Sequence, residues 1–190
     1  MEAVDVREMT YAEYLAFERA SARRHEYVNG RVYAMAGGSP EHARLAGAMI
    51  AALTTTLRGK PCAPFSSDLR VRNVVTGRST YPDVTVVCGA LAHAGDDPDA
   101  ATNPAVIVEV LSETTERDDR GEKWAHYQRI ASLREYVLLS QDSRRVEVYS
   151  RDEQQSDLWH YREYGTGGRV ALPSLGITID VDDVYANPLA

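Results

Sequence analysis

Lysine is almost missing from this chain. Only Lys60 and Lys123 are lysines among 21 basic residues, and the other 19 are arginines. Where positive charge alone is needed the chain uses arginine. A lysine is then a candidate for what a guanidinium cannot do: present a compact ammonium, or lose a proton when its pKa is depressed. Cysteine is as scarce. Cys62 and Cys88 have no metal-type spacing, which excludes a cysteine-built metal centre and predicts two free thiols in a cytoplasmic protein. Long apolar runs are missing too. The longest stretch without a charged side chain is the 13 residues from Leu45 to Leu57, too short to span a bilayer, so no membrane role is expected. The opening MEAVDVREMT is acidic and lacks an apolar core, so it does not read as a secretory leader. The five histidines are dispersed with no HExxH, which argues against a zinc hydrolase. Gly37-Gly38-Ser39 lacks the remainder of a P-loop, and Ser112 lacks the context of a nucleophile elbow.

What is there is an ordinary globular composition, 44% hydrophobic and 26% charged, which excludes a disordered or collagen-like chain. Without repeats, low-complexity tracts or a linker, residues 1–190 read as one domain. A chain of this size buries roughly 70% of its unfolded surface and needs no disulfide or metal to fold. The net charge is −7, but it is uneven. From Arg19 to Arg78 there are 10 basic and 3 acidic side chains, while residues 96–190 carry 10 basic and 19 acidic. That first stretch supplies either a phosphate-facing surface or scattered solvated arginines. Arg70 and Arg72 share strand parity, so they point to one face and are the DNA-binding candidates.

Elements follow from local chemistry. Thr10 and Glu13 have capping-box spacing at the start of a helix running to about Ser21, with Met9 placed to staple onto Tyr14. Asn29-Gly30 between β-prone runs predicts a tight hairpin. Ser39 caps a helix with Pro40 in its first turn, and Leu45, Met49, Leu53 and Leu57 line one face of it. Strands are expected at 62–73, 81–88, 105–111, 134–139, 144–150, 159–164 and 169–171, with a loop at 95–99. Helices are expected at about 117–131 and at 180–185. This is an α/β (α+β) pattern: a mixed sheet flanked by helices.

Glu109 is the most informative residue. It interrupts the apolar run Ala105-Val106-Ile107-Val108-Glu109-Val110-Leu111, which reads as a strand buried on both faces. An unpaired carboxylate there costs several kcal/mol, so either a basic partner or a bound cation must compensate it. Asp83 follows Pro82 at the start of another strand and offers a second oxygen donor of the kind Mg²⁺ or Mn²⁺ prefers. Asp119, Lys123 and Tyr127 share a helix face. The plain reading of the first two is a surface ion pair, and that of Trp124 and Tyr127 is core packing. His42, on the first turn of its helix, is either a packed residue or a catalytic one.

Taken together, Glu26 before the hairpin, His42, Pro82-Asp83, Glu109-Val110-Leu111-Ser112 and Asp119-Arg120-Gly121-Glu122-Lys123-Trp124-Ala125-His126-Tyr127 resemble the Uma-type restriction-endonuclease family of the PD-(D/E)XK nuclease superfamily, over about residues 9–150. The resemblance implies a restriction-endonuclease-like mixed sheet, here with extra C-terminal strands, and a divalent-metal phosphodiesterase site acting on DNA. Asp83 and Glu109 match the metal-binding acids. Leu111 stands where the superfamily usually has its lysine, and Lys123 matches the lysine that the Uma-type family places on the next helix. Glu26 and His42 match additional polar positions. Glu113 departs from the proline often found after the serine. Three readings stand: a Mg²⁺- or Mn²⁺-dependent DNA endonuclease, with a homodimer placing two sites on two strands; a nuclease-fold module that holds DNA or protein with little or no cleavage; and a structural protein in which Glu109 pairs with an arginine.

Overall fold

The computed structural model describes residues 8–35 and 37–189, so most of the segment read above for a leader lies outside the described residues. Helix α1 (Tyr11–Ala20) begins with the reciprocal Thr10–Glu13 capping box. Strands β1 (His25–Val28) and β2 (Arg31–Ala34) pair through a turn in which Asn29 and Gly30 take φ of 50° and 81°. That is the left-handed region which asparagine and glycine tolerate. Helix α2 (Pro40–Thr56) starts at Ser39, whose side chain accepts from the His42 N–H.

Seven strands follow: β3 (Cys62–Ser66), β4 (Arg70–Arg72), β5 (Ser79–Thr80), β6 (Val84–Cys88), β7 (His93–Ala94), β8 (Asp97–Ala101) and β9 (Pro104–Val110). A helical segment then runs as α3 (Glu116–Asp118), a π-helical turn (Asp119–Lys123) and α4 (Trp124–Tyr127). The chain ends with β10 (Glu135–Leu139), β11 (Val146–Arg151), β12 (Trp159–Tyr164), β13 (Arg169–Leu172), a 3₁₀ turn, β14 (Ile177–Asp180) and α5 (Val181–Tyr185).

Two six-stranded sheets organise these elements, in the orders β12-β11-β10-β9-β6-β3 and β2-β1-β5-β4-β8-β7, and β13-β14 form a separate ribbon. The fold is the mixed α+β arrangement expected. Strand β9 lies in the middle of the first sheet, parallel to β10 and antiparallel to β6. Its Val106, Val108 and Val110 pack under Leu45, Met49 and Leu53 of α2. Its Ile107, with Leu111 just after the strand, packs with Tyr127 of α4 and with Ile130 and Leu133 beyond it. Both faces are covered, which explains why the strand is apolar at every position from 105 to 110 but Glu109. Period-two alternation then fixes the side on which Glu109 emerges, the side of the helical segment.

Four expectations are corrected. The single strand at 62–73 is two strands in different sheets, because a turn at 67–69 closes with the Leu69 N–H on the Ser66 carbonyl. The strand at 81–88 begins at Val84. The loop at 95–99 shrinks to a turn, and Asp97 is buried in β8. Cys62 and Cys88 are not free thiols: they oppose each other in the β3–β6 ladder and form a disulfide. Spacing alone hid this, since only strand pairing brings positions 26 apart into register. Closing a loop of that length is worth about 3 kcal/mol. Reduction, or Cys62→Ser with Cys88→Ser, is therefore expected to lower the thermal midpoint by roughly 6–12 °C in a melt followed by circular dichroism. An unchanged midpoint counts against the bridge.

Candidate functional site

Glu109, Asp83, Lys123, Glu26 and His42 come together where α2, the helical segment and the two large sheets meet. Register does most of this. Val84 opposes Val108 in the antiparallel ladder, so Asp83 is carried beside Glu109. Asp83 Oδ2 accepts the Val110 N–H at 2.7 Å and lies 3.2 Å from His42 Nε2. Glu109 Oε1 accepts from the Tyr127 hydroxyl at 2.9 Å and from Lys123 Nζ at 3.3 Å. Lys123 Nζ also reaches Asp119 Oδ1 at 2.9 Å and Glu26 Oε1 at 3.5 Å. The π-helical turn presents both Asp119 and Lys123 inward, a use of this rare turn that recurs at functional sites.

Several partners were not expected. Arg78, fully buried, sets Nη2 between Glu26 Oε2 at 3.4 Å and Asp118 Oδ2 at 2.9 Å. Tyr127 is no bystander in the core, since its hydroxyl touches Glu109 and the Thr80 hydroxyl. The Asp119–Lys123 pair is buried, not a solvated surface pair. The i, i+4 spacing was the only signal for it. For Arg78 and Asp118 no local signal exists. Trp124 behaves as core, stacked on Tyr136 at 5.3 Å.

The charges do not balance. Glu26, Asp83, Glu109, Asp118 and Asp119 surround only two permanent cations, Lys123 and Arg78. Burial raises the Glu109 carboxyl well above its ordinary range; Lys123 opposes this, and Asp119, Asp83 and Glu26 add to it. Asp119 is raised for the same first reason and is likewise relieved by Lys123. Burial pulls the Lys123 ammonium down, but Glu109, Glu26 and Asp119 outweigh it and hold the side chain charged. The depressed lysine allowed for in the sequence is thus reversed: its acidic neighbours favour the charged ammonium. The hydrogen bond to Asp83 raises His42.

Among the described residues, no group of three or more His, Cys, Asp and Glu side chains is arranged to hold a metal by itself. Two carboxylates do offer donors. Asp83 and Glu109 each have one oxygen fixed by protein donors, and no described residue hydrogen-bonds to Asp83 Oδ1 or Glu109 Oε2. Glu26 differs, because its two oxygens face Lys123 and Arg78. A hard cation that keeps water and takes phosphate as further ligands fits such a pair. Among the described residues no arginine pairs with Asp83 or Glu109; Arg78 stands on the Glu26 flank.

Arg70 and Arg72 lie outside this site. Arg70 is buried, with Nη2 on Asp97 Oδ1 at 2.6 Å and Nη1 on the Tyr81 hydroxyl at 2.9 Å. Arg72 pairs with Asp96 and sits 3.7 Å over the Tyr11 ring. Arg70 is therefore internal and Arg72 half-buried, since β8 and α1 cover that face of β4.

Residues 11–182 match the Uma2 family, described as "Putative restriction endonuclease". The chain belongs to this family. Two relatives from Synechocystis sp. are both described as uncharacterized proteins. One, slr1290, is 34% identical over 91% of this chain and 89% of its own length. The other, sll1609, is 32% identical over 75% and 81%. Among solved structures, "a putative nuclease belonging to DUF820" from Anabaena variabilis superposes with a TM-score of 0.72 at 15% identity, covering 92% of this Uma2 chain and 96% of that one. At that identity the likeness shows the fold: the nuclease-type architecture is shared.

The buried cluster yields a pH-dependent expectation. Lys123→Met leaves Glu26, Glu109 and Asp119 facing one another, and breaking a buried pair costs about 3–5 kcal/mol. Glu109 and Asp119 have raised folded-state pKa values, so protonation at low pH relieves the repulsion and the penalty grows as pH rises. Urea melts of wild type and variant are expected to differ most at pH 8 and least at pH 5. A pH-independent difference contradicts this assignment.

Proposed function

We propose that this Uma2 protein is a divalent-metal-dependent endonuclease that hydrolyses DNA phosphodiester bonds, with Mg²⁺ or Mn²⁺ held by Asp83 and Glu109. The observation that carries the reading is the pair of uncommitted oxygens, Asp83 Oδ1 and Glu109 Oε2, at adjoining ladder positions of a carboxylate-rich cluster. A bound divalent cation supplies Lewis acidity toward a phosphate oxygen and lowers the pKa of water.

The side chains of this chain do the rest. Tyr127 and Lys123 fix Glu109 through one oxygen, leaving the other free to bind. The Val110 N–H and His42 do the same for Asp83. Lys123 faces three carboxylates, so it is a positioning residue whose fixed charge offsets negative charge gathering at phosphorus. Glu26 anchors Lys123, and Arg78 anchors Glu26. A homodimer would put one such site on each strand of a duplex.

A nuclease-fold binding module is the second reading. It is favoured by the net charge of −7 and by the pairing of Arg70, Arg72 and Arg78 with acids of this chain. Plasmid cleavage with Mn²⁺ separates the two. Wild type is expected to cut, and Asp83→Asn, Glu109→Gln and Lys123→Arg each to lose on the order of 10²-fold or more while remaining folded. DNA retention without cleavage by wild type supports the binding module. Equal rates in wild type and all three variants overturn the site.

A further inference from the structure

The loop before α2 contains two adjacent glycines with different surroundings. A Cβ at Gly37 would meet nothing within 4 Å. A Cβ at Gly38 would lie 2.7 Å from His42 Nδ1, 2.9 Å from Cγ and 3.2 Å from Cβ. Gly38 has no positive φ, so steric room is the only demand placed on it. The contact includes His42 Cβ, which the first turn of α2 holds in place, so the ring cannot yield by a small tip movement. On its other side the ring meets Asp83, Nε2 to Oδ2 at 3.2 Å. His42 is thus wedged between a glycine and a carboxylate at the partly open edge of the site, with side-chain exposures of 19% for His42 and 14% for Asp83.

We infer that Gly38 and His42 form a positioning unit for Asp83. The backbone of Gly38 backs the imidazole, and the imidazole together with the Val110 N–H holds Asp83 Oδ2 so that Oδ1 faces away from both donors. Partners that orient a ligating carboxylate typically matter 10- to 100-fold for metal affinity. This rests on the reading of Asp83 as a metal ligand, but the orienting contact exists without a metal and can be measured without one.

The test compares wild type with Gly37→Ala, Gly38→Ala, His42→Ala and the double variant Gly38→Ala/His42→Ala. Mn²⁺ affinity is measured by calorimetry, and exchange of the Val110 amide proton by NMR in metal-free protein, with a thermal melt for each variant. Gly38→Ala and His42→Ala are expected to weaken Mn²⁺ binding roughly 10-fold or more and to speed Val110 exchange by roughly tenfold. Gly37→Ala changes neither. In the His42→Ala background Gly38→Ala adds much less, because the ring it displaces is gone and only the 3.2 Å approach to the Cβ at position 42 is left. Equal behaviour of the two glycine variants overturns the inference. So does a Gly38→Ala effect that persists undiminished without His42, since that marks a loop defect. If wild type binds no Mn²⁺, the metal reading fails and Val110 exchange across the same variants still decides the positioning unit. If Gly38→Ala does not fold, His42→Ala alone must reproduce both effects, and a silent His42→Ala overturns the inference.

Discussion

The rest of the structure is arranged around one interaction, the contact between Glu109 and Lys123 inside the protein. A carboxylate in a strand covered on both faces is stable only with a partner, and an ammonium buried without acids would lose its proton. Each therefore makes the other admissible. The pair also recruits neighbours. Lys123 reaches Glu26 in the second sheet, Glu26 reaches Arg78, and Arg78 reaches Asp118 back on the helical segment. The ring of charges joins strand β9, strand β1 and the helical segment, so the two large sheets are tied at the same point where the carboxylates gather.

Arginine plays a different part from the one its abundance suggests. The stretch from Arg19 to Arg78 is positive in sequence, yet Arg70, Arg72 and Arg78 find acids far from them in sequence: Asp97, Asp96, and both Glu26 and Asp118. Planar guanidinium groups suit such buried, multidentate contacts, and Arg70 grips Asp97 through two nitrogens. A run of like charge along a strand-rich chain says little about surface potential, because pairing places distant residues side by side.

The features legible in the sequence are those whose cause is local. The Thr10–Glu13 box, the Asn29-Gly30 turn and the Ser39-Pro40 start each need only a few neighbouring residues, and each appears where expected. Glu109 was conspicuous because it breaks an apolar run, and Lys123 because lysine is rare. Asp118 and Arg78 were illegible because their contacts depend on how the sheets and the helical segment meet. Asp119 had a visible partner four residues on, but nothing in the spacing told a buried pair from a solvated one. The disulfide and the break at 67–69 were hidden for a related reason: both follow from which strands pair, and pairing is not written in either strand alone.

The charge cluster also bears on when the protein becomes competent. Its members are spread from β1, through the residue before β6 and through β9, to the helical segment, and β9 needs β10 beside it to be enclosed. Contacts between such distant positions are slow to form, because the chain must lose most of its freedom before any of them is made. A partly synthesised or partly unfolded chain holds the same acids, but scattered and hydrated, with Lys123 in water and Asp83 unaligned. The assembled cluster therefore exists only once the chain has closed around it, and a fragment released by proteolysis carries none of it.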